Sequence, residues 1–201
     1  MLNPGYTTIS KFLIQQVPEG PHGRELAALR GDVAAVIKAI SAAVGKGPLV
    51  GLAGLAGTEN TQGEQQKQLD VLADELFARG VEWSGLVGAI ASEEREDVHF
   101  VEGGGRLVLV FDPLDGSNNL DVNLPVGSIF SVLALPETKQ SSDAVLQPGT
   151  KQLAAGYAIY GPSTQVVITV GRGTHGFTLD REIGNFVLTH PEIRVPQEGS
   201  D

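Results

Sequence analysis

The chain has no cysteine among its 201 residues. Disulfides, thiolate catalysis and cysteine-ligated zinc are therefore excluded, and the composition fits a reducing compartment. Basic residues are scarce, with 14 Lys and Arg against 24 Asp and Glu, for a net charge of −10. A nucleic-acid surface needs Lys and Arg clusters to neutralise phosphates, and none occurs. Long apolar runs are also missing. The least polar stretches, Pro48–Gly57 and Val126–Pro136, fall well short of the roughly 20 residues that cross a bilayer. Met1-Leu2-Asn3-Pro4-Gly5 carries neither a basic segment nor an apolar one, so it does not read as a secretory signal. These absences predict a soluble cytoplasmic protein with no nucleic-acid or membrane partner. A hydrophobic content of 41% still allows a substantial core in a single domain.

The pattern along the chain changes character once. Leu26, Leu29, Val33, Ile37, Ile40 and Val44 recur three and four apart and predict an amphipathic helix that Gly45 and Gly47 stop. Gly51–Gly57 and the polar residues to Gly63 read as a mobile loop. Thr61 with Glu64 has the form of a capping box for a helix carrying Leu69, Leu72, Leu76 and Phe77 and ending near Gly80. Asp70 and Asp74 share one face of that helix. Beyond it the signals are strands: Leu86–Ala91, Val98–Glu102, Arg106–Phe111, Ser128–Leu135, Ala154–Tyr160, Gln165–Val170, Gly176–Leu179 and Asn185–Leu188. Gly103-Gly104-Gly105 reads as a hairpin turn between two of them. Thr138–Pro148 is polar and reads as an exposed loop. Helices followed by strands predict an α+β fold with helices packed on a largely antiparallel sheet.

The richest chemistry lies in Phe111-Asp112-Pro113-Leu114-Asp115-Gly116-Ser117-Asn118-Asn119. Asp112 and Asp115 can point into one small volume, and the Leu114 carbonyl can add a third oxygen. Such an all-oxygen set suits a hard cation such as Mg²⁺. Asp, Pro and Gly also make ordinary tight turns, but that account leaves two acids together with no basic neighbour. Gly116, Ser117 and Asn118 can turn backbone N–H groups toward an anion. Ser92-Glu93-Glu94 follows a strand, and adjacent residues there point in opposite directions. Glu93 can then ligate metal while Glu94 faces a water as general base; the rival account is a solvated charged loop with Arg95, Glu96 and Asp97. On spacing alone Asp70 reads as an exposed helix acid, and Glu64 is sufficiently explained as a capping residue. Gly171-Arg172-Gly173-Thr174-His175-Gly176 matches a dinucleotide fingerprint, but Phe177–Asp180 reads as a strand where that motif requires a helix. His22, His99, His175 and His190 show no ligand spacing and read as structural or exposed.

Asp112–Ser117 resembles the signature of the Li⁺-sensitive, Mg²⁺-dependent phosphatase superfamily. Longer segments resemble the class 1 fructose-1,6-bisphosphatase family: Gly51–Gly57 with Glu59-Asn60, Gln68–Val71, Ala91–Glu94, Phe111–Asn119 with Asp121, Val126–Phe130, Leu146–Gly149 and Ala154–Tyr157. The resemblance covers nearly all of the chain and only that family's N-terminal domain. It implies a layered α/β/α architecture, with residues 1–196 as the metal- and phosphate-binding domain and 197–201 starting a linker to a sugar-binding domain. It implies that Glu93, Asp112, the Leu114 carbonyl and Asp115 ligate Mg²⁺, with Mn²⁺ as a substitute. Asp115, Gly116, Ser117 and Asn118 would hold the 1-phosphate and adjoining sugar, while Asp70, Glu94 and Glu64 would serve the attacking water.

The implied reaction is hydrolysis of fructose 1,6-bisphosphate to fructose 6-phosphate in gluconeogenesis, by a homotetramer. A chain limited to these residues is expected to turn over little substrate. Alternatives are a broader sugar bisphosphatase that also takes sedoheptulose 1,7-bisphosphate, a relative acting on inositol monophosphate, and a non-catalytic regulatory module. Some positions depart from the family. Asn118 replaces a hydroxyl residue, Glu64 is one methylene longer than the usual acid, and Gly23, Leu107 and Ala134 replace a threonine, a tyrosine and an arginine linked to AMP binding. Weak or altered AMP binding follows as an expectation.

Overall fold

The computed structural model describes residues 5–16, 22–50, 55–59, 65–137 and 141–197. Its helices follow the apolar periodicity. Helix α1 (Ile9–Gln16) buries Ile9, Phe12 and Leu13. Helix α2 (Gly23–Lys46) buries Leu26, Leu29, Val33, Ile37 and Ile40 of the stripe read from the sequence, together with Val36, while Val44 is half-buried. Gly45 stays in its last turn, and the helix is capped by Gly47, whose φ of 49° suits glycine best. The segment expected as a loop contains a strand, β1 (Leu55–Glu59), paired antiparallel with β2 (Gln65–Lys67). Thr61 and Glu64, and with them the expected capping box, lie outside the described residues.

Helix α3 (Gln68–Glu82) buries Leu69, Ala73, Phe77, Ala78 and Val81, and also Asp70 and Asp74. It ends at Glu82, near Gly80 as expected. A Cβ at Gly80 would lie 2.4 Å from Val36 Cγ2, so this glycine permits close crossing of α2 and α3.

The strands are β3 (Val87–Ser92), β4 (His99–Phe100), β5 (Leu107–Asp115), β6 (Val126–Ala134), β7 (Ala154–Tyr160), β8 (Thr164–Thr169), β9 (Thr174–Asp180) and β10 (Asn185–His190). They form one sheet in the order β10-β9-β8-β7-β6-β5-β3-β4. Every neighbouring pair is antiparallel except β3 and β5, which run parallel. The α+β class with a largely antiparallel sheet is as expected.

Gly103–Gly105 does not turn a hairpin. Strand β4 pairs with β3, and β5 lies on the other side of β3. The glycines serve the passage between the two sides. A Cβ at Gly104 would meet Val87 O at 2.4 Å, and one at Gly105 would meet Leu86 O at 2.3 Å. The chain can therefore lie flat against the start of β3 before it pairs there.

Alternation along the strands sorts the core. Leu107, Leu109 and Phe111 of β5 join the main core with all three helices, whereas Val108 joins Ala89 and Leu133 in a small cluster on the opposite face. Phe77 of α3 stacks on Phe111 with ring centroids 4.6 Å apart. His175 is buried and lies 4.5 Å from the Phe12 ring, so it is a core histidine. Ile129, Tyr157 and Ile159 are exposed.

One residue works against this core. Arg30 of α2 is 6% exposed and shares a small cleft with Ile9, Val33, Ile37, Phe130 and Ile168. Its Nε and Nη1 have no hydrogen-bond partner among the described residues. Burial lowers its pKa to about 10, so it remains charged at neutral pH. Unsatisfied buried charge is costly. Arg30→Met, which keeps the apolar stem, should raise the unfolding free energy by about 1–3 kcal/mol. Urea denaturation of both proteins measures this, and a lower midpoint for the variant would contradict it.

Candidate active site

The parallel pairing of β3 and β5 sets the site. Ser92 lies in register with Phe111, so both strands deliver their following acids at the same end of the sheet. Neighbouring strands stand only about 4.8 Å apart. The Glu93 N–H donates to the Phe111 carbonyl at 3.0 Å, which ties the Glu93-Glu94 turn to β5 just before Asp112. The Glu94 N–H donates to Ser92 Oγ at 3.3 Å. Both glutamates are half-buried.

The end of β5 is irregular by design of its residues. Its register on β6 shifts between Asp112 and Asp115, where Pro113 has no N–H to pair. The Leu114 N–H donates to Asp112 Oδ1 at 3.0 Å. Ser128 Oγ donates to the Pro113 carbonyl at 2.6 Å and lies 2.7 Å from the Tyr160 hydroxyl. Leu114, whose carbonyl is the predicted ligand, anchors the segment through a side chain 3% exposed. Asp115, Gly116 and Asn118 face solvent, and Ser117 is half-buried. Gly116 has φ 75° and opens a 3-10 turn, Ser117–Val122, closed by an Asn119 N–H to Gly116 carbonyl bond of 2.8 Å.

Asp70 comes to the site from α3. It is only 2% exposed, which removes the reading of an exposed helix acid. Its Oδ2 accepts the Lys67 N–H at 2.7 Å, so the helix-capping acid is Asp70. Sequence reasoning missed Asp74 and Arg95. Arg95 places Nε and Nη2 each 2.7 Å from Asp74 Oδ2, tying the Glu93-Glu94 segment to α3. The visible signal was only that Asp74 shares a face with Asp70. It also missed Lys67, whose Nζ lies 2.7 Å from Asp121 Oδ2.

Four acids act on one another electrostatically at this end of the sheet. Burial pushes the Asp112 carboxyl up to about 6, and the charges of Asp115, Glu93 and Asp70 push the same way, against the Leu114 N–H. Asp70, Glu93, Asp112 and Asp115 thus share one neighbourhood. Glu94 is next to it in the same turn, and Glu64 lies outside the described residues. Among the described residues no three His, Asp or Glu side chains close a cage around an ion by themselves. Mg²⁺ does not require such a cage, because it takes one or two carboxylates and completes its shell with water and substrate phosphate.

A raised carboxyl pKa means that the folded state holds the Asp112 proton more tightly than the unfolded chain does. The charge therefore costs stability above about pH 6 and nothing below the ordinary carboxylate range. With divalent ions chelated, Asp112→Asn should raise the melting temperature at pH 8 and leave it nearly unchanged at pH 4. Thermal melts at the two pH values check this, and a destabilised variant at pH 8 would count against the crowding of acids.

Residues 7–191 match the family described as fructose-1-6-bisphosphatase, N-terminal domain. The chain is similar to the holo form of Leishmania major fructose-1,6-bisphosphatase, with 35% identity and a TM-score of 0.90 over 98% of this chain and 62% of that one. Its similarity to the T-state of that enzyme is 34% identity and TM-score 0.81, over 98% and 61% of the two chains. The apo form gives 32% and 0.80, over 97% and 60%. The chain spans about three-fifths of the length of these relatives. It belongs to the fructose-1,6-bisphosphatase family, in the part that forms the N-terminal domain.

Proposed function

We propose that this chain supplies the cation- and phosphate-binding half of a phosphatase that hydrolyses fructose 1,6-bisphosphate to fructose 6-phosphate and phosphate. The observation that carries this reading is the strand end where the Glu93 N–H donates to the Phe111 carbonyl beside Asp112, whose carboxyl is pushed up to about 6 by burial and by Asp115, Glu93 and Asp70. Acids kept so close serve a purpose when a cation or a substrate joins them.

On this reading Glu93, Asp112, the Leu114 carbonyl and Asp115 hold Mg²⁺ or Mn²⁺. A divalent cation bound there would spread the charge of the transferring phosphoryl group. Asp115, Gly116, Ser117 and Asn118 receive the 1-phosphate and adjoining sugar. Asp70 and Glu94 orient the attacking water and take its proton as its oxygen bonds to phosphorus; the bond from phosphorus to the sugar oxygen breaks, and that oxygen leaves as a hydroxyl after taking up a proton from solvent. Residues 1–196 then form one domain, and 197–201 lead toward a sugar-binding one. The protein would act in the cytoplasm as a homotetramer, in gluconeogenesis.

Phosphate release by the full-length protein tests the reading. Mg²⁺ should support it, EDTA should abolish it, and Asp112→Asn should lower kcat at least ~100-fold. The Mg²⁺ concentration for half-maximal rate should rise as pH falls through about 6, because the ion must displace the Asp112 proton. Activity that ignores EDTA would overturn the proposal. Residues 1–201 alone should release little phosphate, since transition-state contacts from elsewhere are then missing. A substrate panel including sedoheptulose 1,7-bisphosphate defines the range.

AMP control should be weak. Leu107 is fully buried and lies opposite Ala134 on β6, so neither offers a ring or a cation to a nucleotide. Arg106 is already engaged, with Nη2 2.8 Å from Glu25 Oε1, and Glu25 Oε2 lies 2.9 Å from His22 Nδ1. Titrating micromolar AMP into the full-length protein should leave the rate nearly unchanged; strong inhibition would refute this.

A further inference from the structure

Lys67 touches both halves of the site from outside it. It is the last residue of β2 and immediately precedes α3. Its backbone N–H donates to Asp70 Oδ2 at 2.7 Å, and its Nζ lies 2.7 Å from Asp121 Oδ2. Asp121 belongs to the 3-10 turn that begins at the Gly116-Ser117-Asn118 segment. One residue thus joins Asp70 to the segment proposed to hold phosphate, across a sequence gap of 54 residues (121 minus 67).

The pair is asymmetric. The Lys67 side chain is 6% exposed and the Asp121 side chain 73%. The direction of the contact does not meet hydrogen-bond geometry, so two close charges hold it. Burying an ammonium is costly unless it is paired, and among the described residues Asp121 pairs it. Beside the pair lies a cavity of about 480 Å³, lined by Ser41, Leu120, Tyr160 and Arg181 among others. Without the Asp121 charge, Lys67 has both a reason to leave its buried position and room to do so. Its backbone would carry that movement to Asp70, because the Lys67 N–H caps α3 by donating to Asp70 Oδ2.

We propose that the Lys67–Asp121 ion pair is a positioning device, which sets the separation between Asp70 and the 115–118 segment. It rests on the phosphatase reading. Small misplacements of a catalytic group carry large rate penalties, up to roughly 100-fold for about 1 Å, while substrate contacts of the 115–118 segment remain. The expected signature is therefore a loss in kcat with little change in KM.

The test uses the full-length protein with fructose 1,6-bisphosphate and Mg²⁺, assayed well below each variant's melting temperature. Asp121→Asn and Lys67→Met should each lower kcat by about tenfold or more, with KM within about threefold of wild type. Asp121→Glu, which keeps the charge, should recover most of the rate. The double variant Lys67→Met with Asp121→Leu removes both charges and should regain stability without regaining kcat. Amide exchange at Lys67, read without substrate, should quicken in Asp121→Asn. An active wild type with an equally active Asp121→Asn, or a double variant that regains full kcat, would overturn the strut. A wild type that releases no phosphate would overturn the parent reading instead, and unchanged exchange at Lys67 would then remove the strut as well.

Discussion

The candidate site depends on one parallel pairing in a sheet that is otherwise antiparallel. Strands β3 and β5 lie side by side and point the same way, with Ser92 opposite Phe111. If the strand at His99–Phe100 had stayed between them, the two strand ends would be separated by about 10 Å. Its placement outside β3 halves that distance. Glu93 then bonds to the carbonyl of the residue before Asp112. The crossing that achieves this is possible because Gly104 and Gly105 pass against the backbone of β3, where a side chain would collide. Carboxyl ends of adjacent parallel strands are a common place for ligand chemistry, and here they collect acids.

Helix α3 is the second support. It is held to the sheet by Phe77 on Phe111 and to the Glu93-Glu94 segment by Asp74 and Arg95. Its first turn is held at Asp70 by a backbone N–H and at Lys67 by an ion pair. Rigid apolar packing at one end and paired charges at the other leave Asp70 little freedom. The fold thereby maintains an electrostatically unfavourable cluster: the neighbours that raise the Asp112 pKa are the same groups that suit a hard cation. Stability given up at such a position is a frequent mark of a functional site.

Parts of this were legible in the chain and parts were not. The α2 stripe, the strand sequence from β5 to β10 and the cap at Gly47 followed from periodicity and glycine placement. Gly80 marked the neighbourhood of the helix end, but its close approach to Val36 was not visible, because a glycine that relieves a contact is indistinguishable in sequence from one that ends a helix. Asp70 looked exposed, because an acid in a helical pattern carries no sign of what will cover it. The triple glycine looked like a turn, because a flat crossing and a hairpin demand the same residue. Arg95 looked like one charge in a solvated run, because its partner Asp74 lies 21 positions away.

What the sequence determined by itself is local: which stretches are apolar on one side, where proline and glycine bend the chain, and that Asp112, Asp115, Glu93 and Glu94 are oxygen donors at strand ends. These depend on neighbours a few residues apart, and such neighbours are visible in the order of residues. Tertiary structure alone decided which strands became adjacent, that Asp70 is buried, and that Lys67 meets Asp121. Those outcomes rest on contacts between distant segments, where close backbone approach, desolvation and charge pairing act only after the chain has been brought together.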